Sequence, residues 1–163
     1  MRQAHLSPPT PEDITHLASN MRANDAYEAR MLGGVVDLRQ HVEDAVRWSR
    51  VSLAVRAAVD TPLLCIIGVI RGCGLMGDAT LWELSTTEVD RHPLAFLSIC
   101  RSTLRIVAKA VPEAHYFTNI VPQEHTRTLR WLTWLGASTQ RPVTIRSIAC
   151  IPFSFDGVKL RED

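Results

Sequence analysis

The period of the apolar positions changes along this chain, and each change predicts an element. Ile14, Leu17, Ala18 and Met21 recur at helical spacing until Gly33-Gly34, and Val42, Ala45, Val46 and Trp48 repeat that spacing within Leu38 to Arg50. One apolar stripe per helical turn predicts two amphipathic helices in the N-terminal third. Thr10-Pro11-Glu12-Asp13 marks the start of the first: a capping hydroxyl, a proline suited to the opening position, and two acids at the positive end of the helix dipole. From Val51 the period falls to two, through Leu53, Val55 and Ala57, up to a turn at Asp60-Thr61-Pro62. Leu63 to Arg71 is almost continuously apolar, as a strand covered on both faces would be, so the two segments predict an antiparallel hairpin.

Ala79 to Thr86 reads as a further strand. Gly72, Gly74 and Gly77 precede it, between two strands rather than at a helix start, which favours a hairpin connection over a phosphate loop. Pro93 opens the longest helix, with Leu94, Leu97, Ile99, Leu104, Ile106 and Val107 on its apolar face, and Pro112 ends it. His115 to Val121 is a short β-rich segment, and Thr126 to Leu135 is a helix closed by Gly136. Val143 to Ile145 and Ile148 to Phe155 predict two last strands, and Val158 to Asp163 a loose polar tail.

Composition narrows this little further. The 163 residues are enough for one well-buried core, and 46% hydrophobic with 21% charged residues suits an ordinary globular domain. A net charge of +1 gives no global field for nucleic acid or an anionic membrane. The Arg101, Arg105, Arg127 and Arg130 surface leaves nucleic-acid binding as a weaker option. No apolar run is long enough to cross a bilayer and no signal-peptide core follows Met1, so the expected location is the cytosol, or a particle packaged from it. Cys65, Cys73, Cys100 and Cys150 have no metal-ligand spacing and read as buried free thiols; no metal site is expected.

The order of elements, with the segments ATLWELST, TEVDRHP, LAFLSICRSTLRIVAKAVP, HYFTNIVP and HTRTLRWLTWLGA, resembles the acyl-CoA-binding half of the GNAT acetyltransferase superfamily. The resemblance implies an α+β (α/β) single domain over residues 1–163, a mixed central sheet flanked by helices. Its parts would be an N-terminal strand and two helices (1–50), central antiparallel strands with the equivalent of the phosphate loop (51–92), a cofactor-side helix, strand and helix (93–137), C-terminal strands (138–157) and a tail (158–163). Within it, FTNIVPQEHTRTLRWLTWLGAS and LASNMRANDAYEARM look like a group of small proteins from short-tailed phages, some described as internal virion or assembly proteins and some as acetyltransferases.

The resemblance implies acetyl-CoA as cofactor, an amine as acceptor and a V-shaped opening beside the fourth strand. Cofactor contacts would fall on Leu84, Ser85, Thr86, Thr87, Arg91, His92, Asn119 and Arg127. The family loop carries glycines so that its backbone can approach two phosphates. Here Thr86 to Pro93 stands in that place, with Glu88 and Asp90 opposing an anion and Pro93 lacking an N–H. The tyrosine that many relatives use as an acid is Leu132 here, leaving His125, Tyr116 or water for that role. Glu83 is the candidate base if Trp82 and Leu84 face the opposite layer; an edge or groove-facing glutamate without a catalytic role is the alternative. Asp25 and Glu28, at helical spacing, read as a solvated or hinge-capping face before an acceptor site. Two functions follow: an acetyl-CoA-dependent N-acyltransferase, or an inactive domain of the same fold that binds a phage or host protein through anchors such as Trp131 and Trp134.

Overall fold

A computed structural model describes residues 4–72 and 78–162 of the chain. Among these, the elements run β1 (His5–Ser7), α1 (Pro11–Ser19), α2 (Ala23–Met31), α3 (Leu38–Trp48), β2 (Ser49–Arg56), β3 (Leu63–Arg71), β4 (Asp78–Ser85), α4 (Glu88–Arg91), α5 (Pro93–Ala110), β5 (Tyr116–Pro122), α6 (Thr126–Leu135), β6 (Ser138–Thr139), β7 (Val143–Ile145), β8 (Ile148–Asp156) and α7 (Gly157–Glu162). The strands form one mixed sheet in the order β1-β2-β3-β4-β5-β8-β6, with β7 paired to β8. All ladders are antiparallel except β4–β5. This is the α+β single-domain architecture expected from the sequence.

Two departures matter for function. The first predicted helix is two helices, because the chain leaves helical geometry at Asn20-Met21-Arg22 to meet the end of β4. There Met21 bridges Thr86, the Arg22 N–H donates to Ser85 O, and the Thr87 N–H donates to Asn20 O. Helical periodicity continues through this break, so tertiary hydrogen bonds override it. The C-terminal residues are likewise not a loose tail. They form α7, where the Gly157 N–H donates to His115 O and Arg161 Nη1 to Ala114 O, satisfying carbonyls at the α5–β5 turn. The connection of β3 to β4 is a hairpin as expected, with the Gly72 N–H donating to Asp78 O; Cys73, Gly74 and Gly77 lie outside the described residues.

Strand alternation divides the core. Val55, Cys65, Ile67, Val69 and Leu81 face one side, under Phe96, Ile99, Leu104 and Val107 of α5. Ala54, Ile66, Trp82 and Leu84 face the other, with Leu17 of α1 and Val42 of α3. The N-terminal start is built as the sequence indicates: the Thr10 hydroxyl accepts from the Asp13 N–H while Asp13 accepts from the Thr10 N–H. Asp13 also pairs with Arg56 of β2, pinning α1 to the sheet. At the other end, Gly136 takes a left-handed φ of 100° and closes α6. Cys65, Cys100 and Cys150 are buried free thiols.

Gly68 of β3 lies under the Trp82 indole, which is held by donation from its Nε1 to Ser49 Oγ at 2.8 Å. A Cβ at Gly68 would meet three indole atoms at 2.6–2.7 Å. Gly68→Ala is therefore expected to lower stability by about 1–3 kcal/mol, the usual cost of overpacking a core. Calorimetry should record a Tm lower by several degrees. An unchanged Tm would mean that the indole is not fixed by Ser49.

Candidate active site

The site arises from an unfinished strand pair. β4 and β5 run parallel and pair only at Asp78↔Tyr116, Ala79↔Phe117 and Thr80↔Thr118. Asn119 then bridges the widening gap, its Nδ2 donating to Leu81 O at 2.7 Å. Beyond it β5 stays with β8, while the end of β4 is held by the N-terminal segment, the Ser85 N–H donating to Asp25 Oδ2 at 2.6 Å. The resulting cleft encloses about 280 Å³. One part is apolar, with Phe96, Trp131, Leu132 and Leu135; another carries Arg22, Asp25, Glu28, Glu83 and Asp90.

Backbone groups alternate in direction along a strand. Leu81 O and the Ser85 N–H and C=O are all bonded on the gap side of β4, so the Glu83 N–H and C=O between them also point into the gap. The Glu83 side chain leaves the Trp82 and Leu84 face and lines the cleft, where its Oε1 accepts from the Ser85 hydroxyl. Burial, reinforced by the Asp25 carboxylate, raises the Glu83 pKa to about 8 against the stabilising pull of Ser85 and Arg22. Burial and Asp25 likewise raise Glu28 to about 8. Asp25 itself rises to about 6 through burial, with the Ser85 N–H, Arg22 and His125 opposing.

The expected site residues separate in space. Glu83, Asn119 and Arg127 line the cleft. His125 is beside it, its Nδ1 2.7 Å from Glu28 Oε1, so that the pair can share a proton with either partner as donor. Tyr116 is half exposed at the start of β5, outside the cleft. Leu84 packs on the opposite face, and Arg91 and His92 turn back onto Glu88. Asp25 and Glu28, read from sequence first as a solvated or hinge-capping pair, line the cleft instead. Their spacing carried that option, but the contact with β4 depends on the helix break. Trp131 stacks on Phe96 with ring centroids 5.4 Å apart.

The loop expected to cradle phosphates is occupied by its own chain. The Thr86 N–H donates to Leu64 O, Thr87 to Asn20 O, Glu88 to Thr86 Oγ1, Val89 to Thr86 O, Asp90 to Thr87 O and His92 to Glu88 O, all within 3.3 Å. The Thr86 side chain is buried and donates to Leu63 O. Ser85, Thr86 and Thr87 thus present no N–H to an anion, and Pro93 has none. A CoA molecule therefore fits in part: the cleft suits its acyl-pantetheine arm, and the loop does not suit its diphosphate. No described group of His, Cys, Asp and Glu is arranged to hold a metal ion, and no described helix is long and apolar enough to cross a membrane.

The raised carboxyl groups set a pH dependence of stability. Between the ordinary value of 4.5 and about 8, Glu28 and Glu83 hold more protons folded than unfolded, as Asp25 does from 3.8 to about 6. Their contribution is fully present below the unfolded values and is lost as pH rises through the folded ones. His41, lowered by burial, acts in the opposite sense near its ordinary 6.5. The Tm is expected to fall from about pH 5 toward pH 8, and Glu28→Gln to flatten the fall. A Tm that rises across this window would contradict the raised proton affinity of these half-buried acids.

No family model matches the chain, and no curated protein does so by sequence. Solved structures do. The spermidine N-acetyltransferase of Vibrio cholerae, in complex with CoA and spermine, superposes with a TM-score of 0.71 at 11% identity, covering 97% of this chain and 98% of that one. A GNAT-family acetyltransferase of Bacillus anthracis gives 0.68 at 11% identity, covering 95% of each chain. The ribosomal-protein-S18-alanine N-acetyltransferase of Escherichia coli gives 0.62 at 10%, covering 94% of each. At these identities the likeness is one of fold, and the fold is that of the GNAT acetyltransferases.

Proposed function

We propose that the protein is an N-acyltransferase that moves an acyl group from a pantetheine thioester, acetyl-CoA being the reference donor, to a cationic amine. The observation that carries this reading is Glu83, whose carboxyl group and backbone N–H both address the gap between β4 and β5. The donor supplies an activated acyl carbon. Asp25, joined by Glu28 as it ionises near pH 8, attracts the protonated amine, which gives its first proton to water and so frees its lone pair. Glu83, raised to about 8, takes the second proton as the nitrogen bonds to the acyl carbon, at a pH where a carboxylate is ordinarily too weak a base. The Glu83 N–H donates to the carbonyl oxygen as negative charge grows there. The C–N bond forms, the C–S bond breaks, and the sulfur leaves as thiolate. With Leu132 in the cleft wall no acid stands at the family's tyrosine position, and near pH 8 a thiol of ordinary pKa departs without one.

The acceptor class follows from the acidic part of the cleft. Spermine is bound by the Vibrio cholerae neighbour, and polyamines are the first acceptors to test. A second reading, an inactive domain of this fold that binds a phage or host protein, is favoured by the internally bonded loop amides. A virion or cytosolic location would follow from that partner.

Thiol release with spermidine, spermine and an alanine-led peptide as acceptors separates the two. The wild type should turn over with a rate that rises with pH through about 8. Glu83→Gln should lower kcat by roughly 10²–10⁴-fold, the usual worth of a positioned base, while keeping its circular dichroism. Full turnover in that variant would remove Glu83 from the reaction.

A further inference from the structure

We propose that the acyl donor is recognised through its uncharged pantetheine arm, and that the nucleotide diphosphate of CoA contributes little to its binding. The inference rests on the acyltransfer reading and specifies its donor.

A phosphate site at the start of a helix needs free N–H groups, a positive local field and room for close backbone approach. Around Ser85–Pro93 each requirement meets an obstacle. The N–H groups of Ser85, Thr86 and Thr87 end on Asp25, Leu64 and Asn20, and those of Glu88, Val89, Asp90 and His92 on the loop itself. To free the Ser85 and Thr87 donors, the Asn20–Asp25 segment would have to leave the sheet. That segment is held further by Arg22, whose Nη2 is 3.1 Å from Asp90 Oδ1. The charges cancel in the same place: Arg22 is spent on Asp90, and Arg91 on Glu88 at 2.7 Å. At the first turn of α5, Pro93 has no donor and the Phe96 N–H is spent on His92 O, which leaves the Leu94 and Ala95 N–H groups without a chain partner among the described residues. Arg127 is the exception, a cation that lines the cleft with no carboxylate within 4 Å among the described residues.

The arm itself has a place. The cleft of about 280 Å³ is walled by Phe96, Trp131, Leu132 and Leu135. The Trp131 indole stacks on Phe96 in that wall and turns its N–H to the Cys100 thiol behind it, so the cleft meets its apolar ring. An apolar wall of this kind suits the uncharged methylene and gem-dimethyl groups of a pantetheine arm and offers nothing to a phosphate.

The test compares S-acetylpantetheine with acetyl-CoA at one amine acceptor, and adds adenosine 3′,5′-bisphosphate as a competitor. The two donors are expected to give kcat/KM values within about tenfold, the ~1.4 kcal/mol that one tenfold step represents, and millimolar bisphosphate should not inhibit. Arg127→Gln should change both donors by the same factor, and Trp131→Phe should raise KM for both. Acetyl-CoA preferred by more than a hundredfold, inhibition by the bisphosphate, or a loss in Arg127→Gln confined to acetyl-CoA would overturn the inference while leaving acyl transfer intact. Turnover with neither donor in a folded sample would remove the acyltransfer reading, and this inference with it.

Discussion

The end of β4 is held by the N-terminal segment and not by its neighbour in the sheet, and the rest of the site depends on that substitution. Asp25 and Asn20 accept from Ser85 and Thr87 where a full-length β5 ladder or a bound anion would otherwise do so. Because those bonds are made from outside the sheet, β4 can part from β5 with its last edge groups paired, the Glu83 N–H and C=O being left to the gap. The gap, its exposed strand amide and its half-buried acids follow. The same bonds bring Asp25 close to Glu83, whose proton affinity the Asp25 carboxylate raises beyond the effect of burial.

This arrangement sets two demands in opposition. A base that works near neutral pH needs a carboxylate whose charge is poorly solvated, and poor solvation lowers the stability of the ionised protein. The protein distributes the load over Glu83, Asp25 and Glu28, with Arg22 and His125 as partial counterweights. Arg22 serves twice, since its guanidinium also ties Asp90 and thereby the α4 loop. A charge used this way is no longer free for a phosphate, so the acid–base properties of the cleft and its affinity for anions are linked through one side chain.

Much of the fold could be read from local pattern. β3 and α6 begin and end where apolar runs and helical spacing place them, and Thr10 caps α1 as its motif indicates. The misreadings share a cause. The break at Asn20–Arg22 and the helix at Gly157–Glu162 are decided by hydrogen bonds to residues far along the chain, and neither leaves a periodic trace. For the site, Glu83 could be placed because strand alternation fixes its face once Trp82 and Leu84 are assigned to the other. Asp25 could not, since its position depends on that same break. Loop chemistry was the least legible: absent glycines weaken a phosphate site, but only the tertiary bonds account for where each N–H goes.

The short β4–β5 pairing has a consequence for how the molecule comes apart. Among the described residues, three pairs join β1–β4 to the group formed by β5, β6, β7 and β8, and no other ladder connects those blocks. Helix α5 lies over the first block and meets α7 from the second, so side-chain packing carries most of the union. The two blocks are therefore natural cooperative units of unfolding, separated along the line of the cleft. A molecule bound in the cleft would tie them together, making occupancy and global cohesion a single quantity.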